Sequence, residues 1–153
     1  MKKLVILAFA LVPLTLTACG HDHEEHDHSE HDHGDTGVGS FASTHQQSDG
    51  GSYHVDALPQ SDTIVAGEAF DILVTIYLDD GEAPFPEDLS LEFSASAGDM
   101  LGTLAGIEKS SDNTFLLRDV ILPMANMEWT MTMTLTNNNQ DEIVTFLATP
   151  DEA

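Results

Sequence analysis

The sequence predicts an all-β fold: an antiparallel β-sandwich of immunoglobulin-like type, with about seven strands, over residues 53–153. Three observations lead there. Trp129, Met131, Met133 and Leu135 alternate with Thr130, Thr132, Thr134 and Thr136. Phe70, Ile72, Val74, Ile76 and Leu78 share one parity, with Asp71 and Thr75 on the other. A period of two sends alternate side chains to opposite faces of a strand. Turn formers punctuate these runs at short intervals, and no segment offers a long amphipathic helix.

Taken in order, Tyr53 and Val55 open a first strand over residues 53–58, and a short piece follows near Ile64. Gly67 marks a turn before the long strand of residues 70–78, which Asp79, Asp80, Gly81 and Pro84 end. Leu89, Leu91 and Phe93 alternate with Ser90, Glu92 and Ser94 in the next strand. Gly98, Gly102 and Gly106 then interrupt a looser stretch around Met100 and Leu104. Residues 115–122 form another apolar run, closed by Pro123, which cannot donate to a ladder. The Trp129 strand ends in a turn at residues 137–140, and residues 143–148 return as the last strand. Met131 and Met133, in phase with Trp129, are expected in the core.

Upstream of the sandwich the composition changes. Residues 20–52 hold hardly any apolar side chain beyond Val38, Phe41 and Ala42. Such a segment buries too little surface to offset its ordering entropy, so it is expected to be a disordered tail and linker. As a flexible coil it would span about 30 Å root-mean-square. Within it three pentads, HDHEE, HDHSE and HDHGD, run unbroken over residues 21–35 and carry His21, His23, His26, His28, His31 and His33. Imidazole is the commonest protein ligand for zinc, copper and nickel. In an extended chain each HDH triplet offers two imidazoles on one side, so two triplets supply the four ligands of a tetrahedral zinc ion. The third triplet allows a second ion or a shifted register. Metal must compete with protons for these nitrogens, so affinity is expected to fall near pH 6. With no soft cysteine cluster, Zn(II), Cu(II) or Ni(II) is favoured over Cu(I). The competing reading is a solvated spacer with incidental affinity.

The chain begins with Lys2 and Lys3, an apolar stretch over residues 4–16, and LTAC ending at Cys19. This order resembles a bacterial lipoprotein signal peptide over residues 1–18, too short to span a bilayer. That resemblance implies that Cys19 is acylated and becomes the first mature residue. Gly20, where aspartate would signal inner-membrane retention, favours the outer membrane facing the periplasm. Cys19 is the sole cysteine, so the domain has neither a disulfide nor a cysteine nucleophile.

The whole chain carries 27 acidic and 4 basic side chains, a formal net charge of −23. Only Lys109 and Arg118 lie beyond the leader, so nucleic acid and anionic headgroups, which need basic patches, are not expected as partners. Cations are the natural counterpart. Acidity for solubility accounts equally well for the domain's charge, but not for the histidines.

The order GSYHV, AFDILVTIYLDDGEAPF, LPMANMEWTMTMTL and EIVTFLA resembles the YtkA-like domain, related to the FixH and CopC-like envelope sandwiches. Its central element is a Met-containing turn, Met124 and Met127, leading into the Trp129 strand. The resemblance covers most of residues 51–149 and implies an exported, non-enzymatic accessory domain associated with copper or with metallation of respiratory complexes. The loop SAGDMLGT keeps Met100 alone, where such domains with a metal site carry both Met and His.

Other candidates carry ordinary explanations. His45 and His54 stand isolated and are expected to be hydrogen-bonded surface residues. Met100, Met124 and Met127 are potential thioether ligands but are expected to pack. Asp79, Asp80 and Glu82 resemble a calcium loop only superficially and are expected to form an acidic turn. The folded part lacks a nucleophile with a nearby base, so no catalytic residue is assigned. Two readings follow. One is an envelope lipoprotein that binds zinc, copper or nickel through its tail. The alternative is a structural or interaction lipoprotein whose sandwich docks on an envelope protein, with the tail as spacer.

Overall fold

The computed structural model describes residues 41–81 and 83–153. Nine strands and no helix occur among them: β1 His45–Gln47, β2 Tyr53–Pro59, β3 Ala69–Leu78, β4 Ser90–Ala97, β5 Met100–Leu101, β6 Gly106–Ser111, β7 Thr114–Ile121, β8 Trp129–Asn137 and β9 Gln140–Ala148. They form a five-stranded sheet, β1-β2-β3-β7-β6, and a four-stranded sheet, β5-β4-β8-β9. Every pairing is antiparallel.

The period-two runs supply the interior of this sandwich. Val55, Ala57, Ile72, Val74, Ile76 and Leu117 from the first sheet are fully buried, as are Trp129, Met131, Met133 and Leu135 from the second. The threonines between those β8 residues lie on the outward face, only partly buried. Trp129 also satisfies its indole N–H, which donates to the Met124 carbonyl at 3.1 Å. The β8–β9 turn is two residues long, and Asn138 and Asn139 both take positive φ (51° and 60°). This is the backbone that matches the twist of a tight hairpin, and asparagine tolerates it. The β4–β5 turn is also two residues long, and there the positive φ falls on Gly98 alone (59°).

In β7 the phase slips. Phe70 pairs with Val120 but Ile72 with Leu117, so Arg118 and Asp119 together oppose Asp71. The bulge keeps Phe115, Leu117 and Val120 inside although their spacing is not strictly even. Asp71 holds it in place: one carboxylate oxygen accepts the Asp119 amide at 3.0 Å, the other the Arg118 guanidinium at 2.7 Å.

Three expectations are revised. The strand count is nine, because β1, β5 and β6 add to the predicted set. Ile64 is buried, but in a loop, with only an isolated bridge between Val65 and Asp151 beside it. Residues 41–52, assigned to the disordered linker, belong to the sandwich. Phe41 is 2% exposed, stacks obliquely on Phe146 (centroids 6.5 Å apart) and bridges Ala148 of β9, after which β1 crosses to pair with β2. Ser48 is buried, and its hydroxyl donates to Glu142 of β9 at 2.6 Å. This arm is stabilised by backbone bonds and two anchors rather than by an apolar stripe, which is why composition averaged over the segment hides it.

Candidate functional site

The predicted metal ligands His21, His23, His26, His28, His31 and His33, and the predicted lipidation residue Cys19, lie outside the described residues. Among the described residues no group of three or more His, Cys, Asp or Glu side chains is arranged to hold a metal ion. Nor is any helix there long and apolar enough to cross a membrane. Met100 and Met127 are partly buried against the core, and Met124 is 47% exposed. Asp79 and Asp80 lie in the turn after β3; Glu82 is not described.

One set of polar and titratable side chains lies where β1, β2 and β3 meet on the outer face. The register sets His45 opposite Asp56, Gln47 opposite His54, and His54 opposite Tyr77. All five side chains are polar and outward because the intervening residues, Tyr53, Val55 and Ala57, face the core. His45 and His54, expected to be isolated, are instead diagonal neighbours with rings stacked 5.4 Å apart and 14° from parallel. Each is held by its own carboxylate. His45 Nδ1 meets Asp56 Oδ1 at 2.5 Å, and His54 Nε2 meets Asp79 Oδ1 at 2.9 Å. Gln47 donates weakly to the same Asp79 oxygen. Tyr77 hydrogen-bonds Asp56; burial, then the Asp56 charge, pushes its phenol above the ordinary value. Sequence reasoning missed this group because HQQ has no apolar periodicity to mark it as a strand. Only the β1–β2 pairing joins two histidines nine positions apart.

A second polar group surrounds Arg118. Its guanidinium reaches Asp71 and, at 3.1 and 3.2 Å, Glu108, beside an open cavity of about 480 Å³. The backbone amide of Asp119 and the Arg118 side chain hold the Asp71 carboxyl below its ordinary value. The guanidinium is thus engaged by two carboxylates and serves the bulge. Glu142 fastens the arm: burial alone would push its carboxyl up, but hydrogen bonds from Ser48 and Ser52 outweigh it and hold the carboxyl low.

No family model, curated protein or solved structure matches this chain.

Proposed function

We propose that this chain is a non-enzymatic envelope lipoprotein that binds a divalent transition metal, zinc, copper or nickel, through its histidine pentads, for buffering, capture or delivery. The observation that carries the reading is the repeat itself, six imidazoles among seven carboxylates in fifteen consecutive residues. The lipobox-like LTAC motif supports a lipid anchor on Cys19 and a place at the outer membrane facing the periplasm. The resemblance to YtkA-like domains supports an accessory role beside metal-handling partners. Calorimetric titration of Zn(II), Cu(II) and Ni(II) into the mature chain, and into one lacking residues 20–35, tests it. The full mature chain should bind more ions, and more tightly, than the shortened one, with affinity falling as the medium approaches pH 6. The reading fails if both chains bind alike or if neither binds below about ten micromolar.

A second reading, an interaction lipoprotein docked on an envelope protein, draws on one feature of the outer face. Leu58, Leu73 and Leu116 form a row across β2, β3 and β7, with Tyr77 further along β3. Leu58 and Tyr77 are 43% and 46% exposed.

A further inference from the structure

We infer that the open edge of β4 takes up an extended segment of a partner protein as an added antiparallel strand, a segment in which apolar residues alternate with lysine or arginine. β5, the strand outside β4 in its sheet, covers only Ser96 and Ala97. After Gly102 the chain leaves β4, and Thr103 exchanges both backbone hydrogen bonds with Ile121 of the other sheet (3.0 and 2.9 Å). Residues 90–94 thus pair with β8 on one side and with no described strand on the other. Which backbone groups are left follows from the period of two. The Gly102 amide donates to the Ala95 carbonyl at 2.9 Å, so the backbone groups of Ala95 point towards β5. The β4–β8 register runs without a shift from Ser90 to Ser96, so Leu91 and Phe93 present their amides and carbonyls to that same edge. Four such groups in a row are a template for one more strand. The other outer strands are better guarded: the arm grips β9, β1 is three residues long, and β6 is charged at Glu108 and Lys109.

Charge decides the occupant. Glu92 is exposed midway along the edge, Glu87 and Asp88 precede it, and Asp99 stands in the β4–β5 turn. The nearby ammonium of Lys109 is engaged by the Glu87 carbonyl at 3.3 Å. A second copy of the chain would offer its own Leu91 and Phe93, and the register that satisfies all four groups sets the two Glu92 carboxylates directly opposite each other, which destabilises the pairing. Lysine or arginine at that position of a foreign strand makes a favourable cross-strand pair instead. The flanking residues of that strand, opposite Leu91 and Phe93, turn inward. Leu91 is buried and Phe93 packs partly buried against the core, so apolar side chains suit those two positions. The edge belongs to the four-stranded sheet, away from the leucine row of β2, β3 and β7, and its use does not depend on the pentads binding metal.

The probes are a capped seven-residue peptide alternating valine with lysine, and two versions of it, one N-methylated at the valines and one at the lysines. Docked on β4, the valine amides face the edge and the lysine amides face away, so the two methylated peptides differ in hydrogen bonding but not in charge. Binding to the mature chain is read residue by residue through amide hydrogen exchange. The unmodified peptide and the one methylated at lysine should slow exchange at Leu91 and Phe93. Methylation at valine should weaken binding at least about tenfold. Glu92→Lys, at an exposed position, should weaken it by about 2- to 10-fold. The inference is overturned if the two methylated peptides bind alike, which would mark attraction to the acidic surface alone. It is equally overturned if protection arises elsewhere, for instance along the acidic pentads, or if the Leu91 and Phe93 amides are already protected without peptide, because another part of the chain or a second copy then fills the edge.

Discussion

Replacing Phe41 by alanine asks whether residues 41–49 belong to the cooperative core or merely lie against it. The ring is 2% exposed, packs on Phe146 and stands beside the hydrogen bond from the Ala42 amide to the Leu147 carbonyl (3.0 Å). Truncating a buried phenylalanine costs about 3–5 kcal/mol, including the cavity left behind. The tilted pair with Phe146 accounts for about 0.5–1.5 kcal/mol of that. Phe41 is held by an isolated bridge rather than within a ladder, so the site can partly collapse and the low end, about 3 kcal/mol, applies. For a domain of this size that lowers the melting temperature by roughly 12–24 °C. Urea unfolding followed by the fluorescence of Trp129, the sole tryptophan and fully buried, measures it directly. Phe41→Leu, which keeps most of the volume, should lose less than about 1.5 kcal/mol. A loss below about 1 kcal/mol for Phe41→Ala would show that the arm folds independently of the core, and residues 41–52 would not belong to the sandwich.

Asn139→Gly should stabilise the chain by roughly 0.5–1 kcal/mol in the same assay, because position 139 already has φ 60° and glycine adopts it without strain. Gly102→Ala should destabilise by about 1–3 kcal/mol: a methyl there would lie 2.9 Å from Ala95 Cβ and 3.1 Å from the Ile121 carbonyl, with rigid backbone on one side. Asp71→Asn should cost about 1–2 kcal/mol at pH 7, after allowing for partial exposure of the Arg118 pair. The Asp71 pKa is depressed in the folded state, so its contribution is complete above the ordinary carboxylate value and is lost as pH falls through the folded one. The difference between wild type and variant in urea midpoint should therefore narrow below about pH 4.

The parts of the fold legible in the sequence are those where side chains carry the pattern. The β8 run announces itself because Met and Thr strictly alternate, and the turn at residues 137–140 follows from its asparagines. The strands that escaped notice are stabilised through the backbone. β1 has three polar residues, and β6 is a largely exposed edge strand, GIEKSS. In β7 the extent was legible but the phase was not, because a single carboxylate, Asp71, draws in an extra residue from the partner strand. The same blindness concealed the histidine pair. His45 and His54 look unrelated until β1 is recognised, since only cross-strand register sets them side by side. Cys19 and the pentads, in contrast, are visible only as sequence.

The crossing of the N-terminal arm between the sheets also bears on solubility. A long outermost strand offers unpaired amides and carbonyls to any passing chain, the usual route to edge-to-edge aggregation. On β9 the arm engages that edge at two points: Ala42 donates to the Leu147 carbonyl, and Asp49 both donates to the Ile143 carbonyl and accepts its amide. Thr145 lies between these grips, leaving little room for a foreign strand to align in register. On the other sheet, β6, one of its two outermost strands, carries Glu108 and Lys109, charges that resist the same pairing. Cutting the chain at residue 53 would thus do more than remove contacts: it would uncover a nine-residue edge with ready-made pairing sites, and the product should self-associate as its concentration rises.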